Sequence, residues 1–366
     1  MTIDFRSLAN SGVQGVTPYV AGKPVETLER ELGITSSIKL ASNENPLGPS
    51  PLILPALQQL LTQAHIYPDA ECFELKQKLS QFLSVSPMQL TLGNGSENVL
   101  ELIIKAYLHQ GDYAVISQYA FLTISILLQS YGVHANVVPA KDWGHDILGM
   151  LAAINTRTRV LFLVNPNNPT GTYTSEKAFF QLMESVPPHV LVVVDEAYTE
   201  YIRGSDYPDT LKFLSHYPNL IIVRTFSKAY GLAGLRLGFS VSSPEIADML
   251  NRARLPFNVN ALAAKAAYLA LMDQEHIAKS VLLNQRGMHY LEKQLQDLQL
   301  SFIPSAGNFV TIDVGDGPLI YQKLLHEGVI VRPLKAYAMP SHIRVTIGTE
   351  EQNERFITAL KKVIAS

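Results

Sequence analysis

Cysteine is nearly absent: Cys72 stands alone in 366 residues. A lone thiol excludes an internal disulfide, a cysteine-held iron–sulfur cluster and a cysteine-rich zinc site, and it favours a reducing compartment. Cys72 itself reads as an inert residue. Long hydrophobic runs are also absent. The apolar stretches near 160–164 and 190–194 are about five residues each, far short of the roughly 18 that suggest a membrane-crossing helix. Nor is there an excess of positive charge. Lys and Arg number 29 against 32 Asp and Glu, a net charge of −3, which argues against an electrostatic hold on nucleic acid or an anionic membrane. Any phosphate bound here must be a small, local one. Residues 1–7 carry no basic stretch followed by a long apolar core, so no secretory signal is read there. The expectation is a soluble, cytoplasmic protein.

Several common chemical signatures are missing as well. No G-x-x-x-x-G-K-[ST], H-E-x-x-H or G-x-S-x-G occurs, and the ten histidines show no metal-ligand spacing, so no metal is expected. The turn Gly93-x-Gly95-x-x-Asn98 lacks the third glycine of a dinucleotide fingerprint, and the apolar run before it is short.

What is present is a substantial core. With 47% hydrophobic and 17% charged residues, a chain of this length should form about two globular domains. Residues 159–165 and 189–198 are Val-rich and do not alternate, the pattern of strands buried on both faces of a parallel sheet. Between them Phe179, Leu182, Met183 and Val186 recur at helical spacing behind a capping Ser175, giving a βαβ unit. Further strands are expected at 113–117, 134–138, 220–225 and 237–241, with helices at 97–108 and 121–131. The fold class is therefore α/β, a mostly parallel sheet flanked by helices. After about residue 255 long helices at 261–272 and 277–300 precede short segments around 308–313, 328–332 and 342–347. The expected division is an arm at 1–45, a large domain at 46–254 and a smaller α+β domain at 255–366.

Ligands of open α/β sheets sit beyond the carboxyl ends of the strands. The polar residues there are Asn165, Asn167, Asn168, Asp195 and Tyr198. A carboxylate buried at such an end needs compensation, and a protonated heterocyclic nitrogen can supply it; a helix cap or an Arg partner is the other reading. A second cluster follows the strand at 220–225. Lys228 at a strand end can be desolvated until its neutral amine attacks a carbonyl. Ser227 and Arg236 beside it offer a hydroxyl and a guanidinium for a small phosphate. The third cluster, Gly93 to Asn98, opens a helix whose N–H groups suit the same phosphate.

Six pieces occur in order: Ala41–Gly48 (A-S-N-E-N-P-L-G), Tyr67–Asp69 (Y-P-D), Gly93–Glu97, Asn165–Gly171 (N-P-N-N-P-T-G), Val194–Tyr198 (V-D-E-A-Y), and Ser227-Lys228 through Arg236. Together they resemble the fold type I, pyridoxal-phosphate-dependent aminotransferases, and look most like the histidinol-phosphate aminotransferases. The resemblance implies pyridoxal 5′-phosphate as cofactor and Lys228 as the lysine that binds it and moves the proton. It implies Asp195 at the pyridine nitrogen, Asn168 and Tyr198 at the phenolic oxygen, and Ser96, Glu97, Ser227 and Arg236 at the phosphate. Tyr67 would reach that phosphate from the neighbouring subunit of a homodimer. Phe121 falls where many relatives stack a Tyr on the ring, and Glu97-Asn98 stands where many have Asp then Glu.

For the substrate, the resemblance implies Arg344 at the α-carboxylate of glutamate, and Arg332, Tyr19 and Asn308 at the distal phosphate or carboxylate. The expected reaction exchanges an amino group between L-histidinol phosphate and 2-oxoglutarate. The alternatives of the same fold are an aromatic amino-acid transaminase and a phosphothreonine decarboxylase. A non-catalytic DNA-binding regulator would need an added basic N-terminal module, for which the residues before 41 leave no room.

Overall fold

Three successive strands owe their unbroken apolar runs to the fact that each feeds two cores at once. In the computed structural model, which describes residues 3–202 and 204–365, Val160, Phe162 and Val164 of the strand Thr158–Val164 face one hydrophobic cluster. Leu161 and Leu163 of the same strand face another. The next strands, Leu191–Asp195 and Leu220–Thr225, divide likewise, Val193, Ile221 and Val223 to one side and Val192, Val194, Leu220 and Ile222 to the other. With helices on both faces there is no solvent side on which polar residues could alternate.

These strands are the centre of a seven-stranded sheet. Its order is Leu90–Gly93, Gly238–Val241, Leu220–Thr225, Leu191–Asp195, Thr158–Val164, Tyr113–Ser117, His134–Val138. All pairings are parallel except those of Gly238–Val241, which is antiparallel to both neighbours. The βαβ unit forms as expected. Ser175 accepts from the Ala178 N–H, and the helix Glu176–Ser185 buries Phe179, Leu182 and Met183.

A second, four-stranded sheet is antiparallel, in the order Arg332–Pro333, His342–Thr346, Phe309–Asp313, Phe302–Ile303. Val310, Ile312, Ile343 and Val345 pack there with Leu291, Leu295, Phe356 and Leu360 of the helices Gln274–Asp297 and Glu350–Ile364. The arm is stitched to this unit. Ile38–Lys39 pairs in parallel with Val329–Ile330, and Leu28 and Ala41 share a cluster with Leu325 and Ile330. The outer ends of the arm and of the C-terminal unit lie outside the described residues. Among those described, no helix is long and apolar enough to cross a membrane.

One expectation needs correcting. The cores do not part at 254/255, because helix Ala261–Met272 packs on the large-sheet side: its Ala263, Ala266, Ala267 and Ala270 join Leu75, Leu79, Leu92 and Val241. The change falls inside helix Gln274–Asp297, where Ile277 belongs to that cluster and Met288, Leu291 and Leu295 to the C-terminal one. A change of texture along a sequence reports helix against strand content. Which core a helix buries against is decided by contacts far away in the chain.

Just past the strand Leu191–Asp195, the buried Glu196 takes Arg224 Nε at 2.9 Å and Nη2 at 2.8 Å, and the Thr210 hydroxyl at 2.5 Å. Replacing Glu196 with Ala leaves a largely covered guanidinium without this partner, an expected loss of about 3 kcal/mol. Calorimetry should find a lower thermal midpoint for Glu196→Ala than for Glu196→Gln, which keeps an acceptor. Equal midpoints for both variants and the parent would contradict the assignment.

Candidate active site

The carboxyl ends of the parallel strands open into a cavity of about 450 Å³, lined by Ser96, Glu97, Phe121, Asn168, Asp195, Tyr198, Ser227, Lys228 and Arg236, with Tyr19 from the arm. Lys228 follows Leu220–Thr225 in a turn closed by Gly231 N–H on Lys228 C=O at 2.9 Å. Its Nζ donates to the Ser42 carbonyl at 3.3 Å and lies 5.7 Å from the Tyr198 ring centroid. Loss of hydration pushes the amine down to about 8, and the positive charge of Arg344 acts in the same direction. Part of the population is therefore a neutral nucleophile near neutral pH.

Asp195 ends the neighbouring strand and is 4% exposed. Its Oδ1 accepts the Ala197 N–H at 3.2 Å, and among the described residues it has no ion-pair partner. Burial pushes its carboxyl up to about 7, against the pull of the Ala197 N–H and the Lys228 charge. An uncompensated buried carboxylate is costly, and this one faces the cavity.

An anion cradle lies at another wall. Gly95, at φ +86°, precedes the helix Ser96–Tyr107, whose first N–H groups have no intrahelical partner. A Cβ on Gly95 would stand 2.6 Å from Arg236 Nη2, and one on Gly238 would stand 2.3 Å from Ser96 N. The turn thus needs glycine for the guanidinium to come so close. Arg236 is held by the Ala233 carbonyl at 3.1 Å and by Glu97 Oε2 at 3.4 Å. Thr123 donates to Glu97 Oε1 at 3.2 Å. The Glu97 side chain therefore steadies the arginine, a role that its position in the turn did not reveal.

Four of the residues expected to hold cofactor or substrate, Arg344, Arg332, Asn308 and Tyr67, do not line the cavity. Arg344 is 5% exposed and sits behind its wall, donating to Asn168 Oδ1 at 2.5 Å and to the Ala41 carbonyl at 2.9 Å, above the Phe309 ring. Among the described residues its Nε has no partner. Arg332 lies behind Tyr19, its guanidinium carbon 4.8 Å from the ring centroid, and donates to the Val20 carbonyl at 2.5 Å. Asn308 is turned toward the arm, donating to the Asn43 carbonyl at 3.0 Å. Tyr67 is 79% exposed and stacks on Phe257 away from the cavity.

Asn165 and Asn167 brace the loop, Asn165 with Thr174 and Asn167 with Tyr119 and Thr170. Sequence reasoning assigned no role to Ser42, Asn43 or Glu44. Ser42 and Glu44 line the cavity and Asn43 binds Tyr198. The N-E-N-P-L-G piece was the available signal, but it lies some 150 residues from the groups it meets. Among the described residues no cluster could hold a metal ion.

Residues 35–360 match the family described as aminotransferase class I and II. The chain is 54% identical to histidinol-phosphate aminotransferase 2 of Pseudomonas fluorescens, over the full length of both. It is 52% identical to the Pseudomonas aeruginosa protein of the same name, covering 99% of each chain. Among solved structures, a Sinorhizobium meliloti histidinol-phosphate aminotransferase in complex with pyridoxal-5′-phosphate superposes with a TM-score of 0.89 at 29% identity, covering 97% of this chain and 96% of that one.

Two pH dependences follow for the cofactor-free protein. The rate at which an amine-specific reagent labels Lys228 should rise with a midpoint near 8, where an ordinary lysine gives about 10.4. A midpoint above 10 would contradict the desolvation. For Asp195 the folded value of about 7 lies above the unfolded value of 3.8, so the folded state is the one that loses stability as pH rises through that window. The thermal midpoint of Asp195→Asn should therefore gain on the parent between about pH 4 and 7 and then hold its advantage. A flat difference across that range would remove the burial argument.

Proposed function

The chain belongs to the class I and II aminotransferase family, and on that footing we propose that it is a histidinol-phosphate aminotransferase, exchanging an amino group between L-histidinol phosphate and 2-oxoglutarate. The mostly parallel sheet with its smaller companion unit is the fold type I arrangement. The observation that carries the reading is the meeting of Lys228, the unpaired Asp195 and the Gly95–Arg236 cradle in one cavity.

That donor set fits pyridoxal 5′-phosphate. Asp195 lacks a cation where a protonated ring nitrogen would supply one. The first N–H groups of Ser96–Tyr107, with Ser227 and Arg236, suit a single phosphate. Asn168 and Tyr198 would hold the phenolic oxygen, and Phe121 would cover a ring face. When bound, the cofactor supplies an electron sink for the pair released at the substrate α-carbon. Lys228 does the proton work: its Nζ takes the α-proton and returns it, which its lowered basicity allows near neutral pH. With that cation beside it, Asp195 would hold the charge that burial alone tends to remove.

Arg344, on the strand His342–Thr346, would take the α-carboxylate of glutamate. Arg332 and Tyr19, already stacked, would take the distal anion, which is a phosphate in one half-reaction and a carboxylate in the other. Asn308 would support them through the arm. One distal anion site would then serve both half-reactions of a ping-pong exchange. The exposed Tyr67, stacked on the exposed Phe257 and next in the chain to the exposed Ile66, fits a homodimer in which it completes the phosphate site across the interface. A cytoplasmic location is part of the same reading, in keeping with the lone, buried Cys72 thiol.

The test is glutamate formation from 2-oxoglutarate by the purified holoenzyme. L-histidinol phosphate should exceed both L-histidinol and L-phenylalanine in kcat/KM by about 100-fold or more, from lost charge-assisted bonds at the distal anion. Lys228→Ala should cost at least about 100-fold in kcat. Equal use of phenylalanine would make this an aromatic transaminase. Carbon dioxide release from phosphothreonine without a 2-oxo acid would make it a decarboxylase.

A further inference from the structure

Asn43 holds a left-handed backbone at φ +54°, which Asn tolerates better than most residues, and it is 1% exposed. All its polar groups are engaged. The backbone N–H donates to Thr346 Oγ1 at 2.9 Å, the carbonyl accepts from Asn308 Nδ2 at 3.0 Å, and side-chain Oδ1 accepts from Thr346 Oγ1 at 3.3 Å. Nδ2 donates to the Tyr198 hydroxyl at 2.8 Å.

Thr346 Oγ1 receives the Asn43 backbone N–H on one lone pair and gives its own proton to Oδ1, and with Oδ1 so placed the amide nitrogen is turned to Tyr198. The Tyr198 oxygen is an acceptor in this pair, and its one proton is left over. No group among the described residues takes that proton. The side chain lines the cavity, with Lys228 over its ring and Phe309 against its edge.

We infer that Asn43 is a positioning residue that forces Tyr198 to donate into the cavity, toward the phenolic oxygen of the cofactor. The inference rests on the cofactor reading above and adds a residue to it. Burial keeps the Tyr198 phenol protonated, raising it above its ordinary range. Asp195 and Tyr337 add to that rise, while Arg344 and the Asn43 bond oppose it. Because Thr346 belongs to the smaller sheet and Asn43 to the arm, the donor is oriented only when both are seated against the strand-end segment.

The experiment is a pH titration of the visible absorption of the bound cofactor in the holoenzyme, which reads the phenolic oxygen's environment without turnover. Asn43→Asp keeps size and backbone preference but offers Tyr198 an acceptor, drawing its proton away. The absorption midpoint should rise by about one to two pH units, and Tyr198→Phe should raise it similarly. In the Tyr198→Phe background, Asn43→Asp should add less than a third of its effect in the parent. Asn43→Gly, neutral and at ease at positive φ, should shift the midpoint the same way by a smaller amount, and it serves if the Asp variant does not hold cofactor. An equal Asn43→Asp shift in both backgrounds would mean charge acting through space and would overturn the inference. So would unmoved midpoints in the Asp and Gly variants when Tyr198→Phe shifts its own. If Tyr198→Phe leaves the midpoint unmoved, the placement of Tyr198 at the phenolic oxygen fails, and the inference fails with it.

Discussion

Two groups of opposite charge, the Lys228 amine and the Asp195 carboxylate, are taken out of water at the ends of adjacent parallel strands, and the rest of the site depends on that desolvation. Burial moves the two in opposite directions, toward a neutral amine and a protonated acid, so that both come close to neutral pH. Neither shift is possible on an exposed loop. It requires strands covered on both faces, with the two helical layers meeting the sheet around the same ends. The stability that such groups cost is spread over a large core, and what it gives in return is a lysine that can attack and a carboxylate that can hold a cation.

The cradle is built for a local anion. A net charge of −3 gives no long-range attraction, yet one glycine turn, one helix terminus and Arg236 are enough for a single small anion. The closeness of Gly95 to Arg236 shows how little room there is for anything larger in that turn. The Glu97–Arg236 pair is half exposed, so its value is in holding the guanidinium's direction more than in stability.

The arm and the smaller unit complete the site from outside the large sheet. Arg344 on the smaller sheet holds Asn168 and the Ala41 carbonyl, while Asn43 on the arm holds Tyr198 and is held by Thr346 and Asn308. Each bond joins segments more than 150 residues apart. These side chains transmit the seating of the outer elements to the groups that touch the cavity.

Much of this was legible from local pattern. The buried strands followed from unbroken Val-rich runs, the capped helix from Ser175 and its apolar spacing, and the strand-end chemistry from polar residues placed where a parallel sheet opens. Those features depend on neighbours within a few residues, and a sequence records such neighbours directly. What only the tertiary structure decided is which distant segments meet. It carried the helix Ala261–Met272 to the large core, set Arg332 behind Tyr19 and Arg344 behind Asn168, and brought Asn43 to Tyr198. Those outcomes come from packing and hydrogen-bond satisfaction across long loops of chain, where the partner of a residue is determined by the closed fold and leaves no periodicity or spacing in the sequence around it.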